Sequence, residues 1–157
     1  MKTILLLLGV FILAVGIFLF TQNLLGGNGA SFFGKTATAK IKDTEIKLSV
    51  ADTPKAQQKG LSGRKSLAED RGMLFVFKTP DYYSFWMKDM KFPIDIIYLR
   101  GDKVVTIYTN VQPPKSATDT SLPVYTSEEP SDKVLEVNAG FSEKQGLKKG
   151  DTISITL

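Results

Sequence analysis

Asp95 is the side chain whose setting asks most for a chemical explanation. It lies inside the apolar run IDIIYL at residues 94–99, on the same face as Ile97 and Leu99, with Ile94, Ile96 and Tyr98 opposite. Successive strand residues point to opposite sides, so a carboxylate here is partly desolvated whichever face turns inward. Burying an unpaired carboxylate is costly, and Lys88 and Arg64 are candidate partners. The residue reads either as a site acid or ligand-binding carboxylate, or as half of a structural ion pair. Trp86 and Lys88 share one face of SFWMK, with Phe85 and Met87 on the other. A ring beside an ammonium can line a pocket, the ring stacking on a ligand and the cation holding an anion. The alternative is a core Trp with a snorkelling Lys. Glu136 and Asn138 share a face in VLEVNAG, opposite Leu135 and Val137, and look into a cleft or into water. Asp95 and Glu136 together have the residue types for glycosidase-like acid/base chemistry.

Other chemistries are excluded by composition. The chain contains no Cys and no His. Disulfides, thiol nucleophiles and cysteine zinc sites are therefore absent, as are the usual neutral-pH general base and the commonest transition-metal ligand. Glu128, Glu129 and Asp132 cluster without the spacing of a calcium loop, and solvated charge is the expectation. No phosphate-binding glycine loop is present, and no metal or cofactor is implied. The net charge of +4 could favour an anionic surface. The basic residues are scattered, however, and nucleic-acid binding would want a clustered stripe.

Short strands must position these residues. Residues 36–42 and 45–50 alternate polar and apolar and predict two strands around a turn at Asp43 and Thr44. Thr53 suits an N-cap, Pro54 the first helical position and Gly60 the end, so ADTPKAQQKGL predicts a helix of about two turns. GRKSLAEDRG reads as loop. GMLFVF, SFWMK, IDIIYL and KVVTIYTNV follow as strands, then a three-proline surface loop over residues 112–123. Residues 133–137 form a strand, residues 139–147 a second short helix, and TISITL a last strand after the GLKKGD turn. This pattern predicts a mainly β domain: a compact antiparallel sandwich or barrel-like fold with one or two short helices, over residues 35–157.

Ahead of it, residues 4–20 are unbroken apolar sequence, ILLLLGVFILAVGIFLF. A helix rising about 1.5 Å per residue makes this just long enough for the hydrocarbon core. Residues 1–25 therefore read as a transmembrane anchor or a signal segment, with the retained anchor favoured because small residues suited to cleavage are poorly placed. A very short N-tail argues for a cytoplasmic N-terminus and a domain outside. Residues 26–34, GGNGASFFG, form a flexible linker.

The ordered string LSVADTPKAQQKGLSGRKSL, GMLFVF, FWMKDMKFPIDIIYL and VLEVNAGFSEKQGLKKGD resembles the domain-of-unknown-function 192 family. That family shows GL-x-GR, then GMLF-x-F, then FWMKN with P-x-DI, then LE-x-NAG and GL-x-x-GD. The likeness covers residues 45–157. It carries over Gly60, Leu61, Arg64, Gly72, Met73, Phe75, Phe77, Trp86, Met87, Lys88, Pro93, Asp95, Glu136, Asn138, Ala139 and Gly140. It implies a compact mainly β domain, often behind a signal or anchor, with no established activity. Asp89 stands where the family commonly has Asn, so a ligand contact that needed that amide would be lost.

Arg64, Trp86, Lys88, Asp95, Glu136 and Asn138 are polar or amphipathic residues in motif segments that are otherwise apolar or glycine. If they converge, they form a concave site for a small polar or carbohydrate-like ligand. The expectation is thus a membrane-anchored extracytoplasmic binding module. The rival readings are a carboxylate-based hydrolase using Asp95 and Glu136, and a structural accessory or partner-binding protein of the cell envelope.

Overall fold

The computed structural model describes residues 34–157 apart from Ala117 and Thr120. The expected apolar span over residues 4–20, and the linker as far as residue 33, lie outside the described residues. Among the described residues no helix is long and apolar enough to cross a membrane.

The described residues form eleven elements in chain order: β1 (Thr36–Ile41), β2 (Thr44–Ala51), α1 (Pro54–Lys59), β3 (Arg71–Asp81), β4 (Ser84–Trp86), β5 (Ile94–Arg100), β6 (Lys103–Val111), β7 (Val124–Thr126), β8 (Ser131–Asn138), α2 (Phe141–Lys144) and β9 (Ser154–Thr156). Helix α1 forms for the reasons its sequence suggests. The Thr53 hydroxyl accepts a hydrogen bond from the Ala56 N–H at 3.2 Å, Pro54 opens the helix, and Gly60 ends it at φ 47°.

Seven strands form one sheet in the order β6-β5-β8-β3-β2-β1-β9, and β4 pairs with β7 as a separate two-stranded ribbon. The expected antiparallel arrangement holds for every pair except β2 and β3, which run parallel. Residues 52–70 explain the exception. A parallel partner needs a long crossover, and α1 with its following loop supplies one.

The sheet curls into a half-barrel. Its inner face buries Ala39, Ile41, Ile46, Leu48, Val50, Leu74, Ile97, Leu99, Leu135 and Val137. The two sheet edges are tied by the segment before β9: Lys103 bridges Thr152, the Val104 N–H donates to the Asp151 carbonyl at 2.8 Å, and the Ile153 N–H to the Asp102 carbonyl at 2.9 Å. The GLKKGD turn therefore closes the curl. Beside it, Lys149 pairs with Glu129 at 2.8 Å and Glu128 at 3.1 Å, which lowers the Glu129 pKa. Asp132 accepts from the Gly101 N–H at 3.0 Å.

The outer face buries Met73, Phe75, Ile94, Ile96, Tyr98 and Val134 beneath Ala56, Leu61, Met87 and Met90. The β4–β7 ribbon completes that cover. Phe85 packs edge-on against Phe75 at 4.8 Å and Tyr98 at 5.8 Å. The Tyr98 hydroxyl donates to the Tyr125 carbonyl, and the Tyr108 hydroxyl to the Thr126 carbonyl, each at 2.7 Å. Burial, with Tyr108 and Glu136 nearby, pushes the Tyr98 hydroxyl above the usual phenol range, which keeps the proton that this bond needs. Strand β7 was not anticipated: three residues between a proline and a serine carry too little pattern to read.

Candidate functional site

Strand alternation decides which aromatic faces out. Phe85 points into the outer-face core, so Trp86, the next residue, points away and is 58% exposed. The chain then turns. Asp89 takes φ 58°, a left-handed conformation that Asn and Asp adopt more readily than other side-chain-bearing residues. This gives a backbone reason for Asn at this place in the family pattern, and Asp meets the same demand. Two bonds fix the turn to the loop after α1. The Gly63 N–H donates to the Asp89 carbonyl and the Ser62 hydroxyl to the Lys88 carbonyl, both at 2.9 Å. The GL-x-GR and FWMK segments are thus docked on each other.

Between them and the proline-containing loop runs a groove of about 860 Å³. Trp86 and its cross-strand partner Val124 line it together with Lys59, Gly63, Lys88, Asp89, Met90 and Lys91, and the loop contributes Pro114, Ser116, Thr118, Asp119 and Leu122. The Lys88 ammonium stands over the Trp86 ring, 5.4 Å from its centroid, within cation–π range. Trp86 and Lys88 therefore share a face, as expected, but that face is open and not core.

The sheet residues fall elsewhere. Asp95 is fully buried on the inner face. Its Oδ1 accepts from the Asn110 N–H at 2.8 Å and the Gly140 N–H at 3.1 Å, and its Oδ2 from the Ser142 N–H at 2.8 Å. Where the sequence suggested Lys88 or Arg64 as partner, the structure supplies three backbone N–H groups. They tie β5 to an irregularity in its pairing with β6 and to the start of α2.

Glu136 and Asn138 do share a face, the outer one, but they look into neither an open cleft nor water. Asn138 Nδ2 donates to the carbonyls of Leu67 and Ala68 at 3.1 Å each, anchoring the loop before β3. Glu136 is 6% exposed and lies between Met73 and Ile96 of the adjacent strands. Its Oε2 is buried without a hydrogen-bond partner among the described residues. Burial pushes its pKa up to about 8, so the group is mostly protonated at neutral pH.

The register places Asp95 opposite Val137, and Glu136 opposite Ile96. The two carboxyl groups thus project from opposite faces of one sheet. The acid/base pair read from the sequence does not form, because the sheet itself separates its members. Arg64 follows Gly63 in the docked loop, half-buried, with its N–H donating to the Leu61 carbonyl at 3.2 Å. Of the six sequence candidates, Trp86 and Lys88 line the groove together, while Arg64, Asp95, Glu136 and Asn138 do not. Lys59, Lys91 and the 112–123 loop were missed, and Asp89 stood out only as a departure from the family's Asn. The loop's length was the available signal, since ordered loops of about a dozen residues are often functional.

Two solved structures share this architecture. A protein of unknown function from Novosphingobium aromaticivorans is 30% identical, with a TM-score of 0.65 over 76% of this chain and 83% of its own. A Sinorhizobium meliloti protein proposed to be a transcription regulator is 27% identical, with a TM-score of 0.66 over 76% of this chain and 91% of its own. A search of curated proteins finds no match. The DUF192 family, described as "Uncharacterized ACR", matches residues 36–155. That match spans the whole half-barrel, the docked motif loops and the groove they form, and the chain belongs to this family.

Proposed function

We propose that this protein is a membrane-anchored, extracytoplasmic binding module whose groove beside Trp86 takes a small polar or carbohydrate-like ligand. The observation that carries the reading is the exposed Trp86 ring with the Lys88 ammonium held over it, at the wall of a groove of about 860 Å³. Small-molecule sites typically occupy about 300–1,000 Å³ and combine apolar surface with a few placed polar groups. A sugar presents C–H groups that stack on an indole, and hydroxyls that lysine, serine and aspartate can bind. The apolar run at residues 4–20 supports the membrane placement. The hydrolase alternative loses its basis, since Asp95 and Glu136 project from opposite faces.

Calorimetric titration of the full-length chain, in mild detergent, against a panel of neutral and acidic oligosaccharides tests the reading. Saturable binding to at least one member is expected, weakened about tenfold by Trp86→Ala, the scale of one lost aromatic contact. Absence of binding across the panel, or equal affinity in the variant, would overturn it. Mass spectrometry of the mature N-terminus and protease protection of the domain in intact cells test the anchor. A chain beginning near Asn28 or Ala30 would make it a secreted module.

A further inference from the structure

The groove divides into two chemically different parts. Trp86 and its cross-strand neighbour Val124 are 58% and 60% exposed and form an apolar wall. Lys59, Lys88 and Lys91 line the same space, together with Asp89 and Asp119. Asp119 is engaged by its own loop, accepting from the Ser121 N–H at 3.1 Å. None of the three ammonium groups forms an ion pair among the described residues, whereas Lys35, Lys133 and Lys149 do. Lys88 stays against the Trp86 ring. Lys59 Nζ lies beside Gly63, 3.4 Å from where a Cβ on that residue would stand.

Three lysines against two aspartates leave the lining with a net charge of +1, which an anion offsets. Lysine binds such a group as a point charge and asks for no planar geometry. The geometry points to a saccharide bearing an anionic group, carboxylate or phosphate, as the groove's occupant: the sugar ring against Trp86 and the charge between Lys59, Lys88 and Lys91. This inference rests on the groove being the ligand site.

Trp86 is the only tryptophan, so intrinsic fluorescence of the full-length chain in mild detergent reports on the groove. Two probe pairs keep the saccharide and change its charge: trigalacturonate against its methyl ester, and maltose 1-phosphate against maltose. In at least one pair the charged member is expected to bind about fivefold tighter or more, the scale of one partly exposed ion contact. Added salt should shrink that preference by screening. The pair that shows it tells carboxylate from phosphate. Lys59→Gln and Lys88→Gln should each reduce the preference, and Lys144→Gln, which removes the same charge on α2 outside the groove, should leave it. Equal binding of charged and neutral members would overturn the inference while leaving a ligand site. Absence of binding by all four probes would overturn both. An equal effect of Lys144→Gln would reduce the preference to net charge and overturn the inference alone.

Discussion

Glu136 and Asp95 show how two buried carboxyl groups on one sheet can be handled oppositely. Asp95 is surrounded by backbone donors and accepts three N–H groups. Glu136 has none for its Oε2, and desolvation raises its pKa from 4.5 to about 8. The sign of the stability effect follows. Between those two values the folded chain holds a proton that the unfolded chain releases, so this group's contribution to stability is fully present below about pH 4.5 and is lost as pH rises toward 8. The slope is about 1.4 kcal/mol per pH unit for this one group. Urea midpoints taken from pH 5 to pH 8 should therefore fall more steeply for the wild type than for Glu136→Gln, which cannot ionise. Parallel pH profiles for the two proteins would refute this assignment. Asp95 was singled out correctly as a residue that must be satisfied. Its partners were not legible, because they are backbone groups 15, 45 and 47 residues away, and a backbone N–H leaves no mark in the sequence.

At the scale of elements, the ribbon of β4 and β7 matters most to the site, because it presents Trp86. Its grip on the main sheet comes through the hydroxyls of Tyr98 and Tyr108, which reach the carbonyls of residues 125 and 126. Tyr98→Phe combined with Tyr108→Phe removes both bonds while keeping the rings, at roughly 0.5–1.5 kcal/mol each. Amide hydrogen exchange at residues 124–127 should quicken, while β5 and β8 keep their protection. Uniform acceleration across all strands would mean that the hydroxyls hold the whole domain and not the ribbon in particular. The short helix α1 was readable because its cap, proline and terminal glycine act locally. Strand β7 was not, because its pairing with β4 and the tyrosine bonds are long-range contacts.

For the whole molecule, closure of the curl depends on close approach between strands. Gly72 sits where β2, β3 and β8 meet. A Cβ there would lie 2.8 Å from Leu48 Cδ2 and 2.9 Å from the Glu136 carbonyl oxygen, and the backbone atom cannot move aside cheaply. Gly72→Ala should destabilise the domain by about 1–3 kcal/mol through overpacking, read as a lower urea midpoint. An unchanged midpoint would show that the strands can part there without cost.

The amino-acid sequence by itself determined the strand periodicity, the helix that separates β2 from β3, the families of chemistry that a chain without Cys or His cannot use, and the kinship of its motifs. Those features are carried by side-chain type and local spacing. The tertiary structure alone decided that β2 and β3 run parallel, that Asp95 and Glu136 face opposite ways across the curled sheet, and that Trp86 meets Lys59, Lys91 and the 112–123 loop around one groove. Each of those depends on which strand lies beside which and how the sheet bends. Pairing and curvature come from contacts between residues far apart in the chain, which no local pattern encodes.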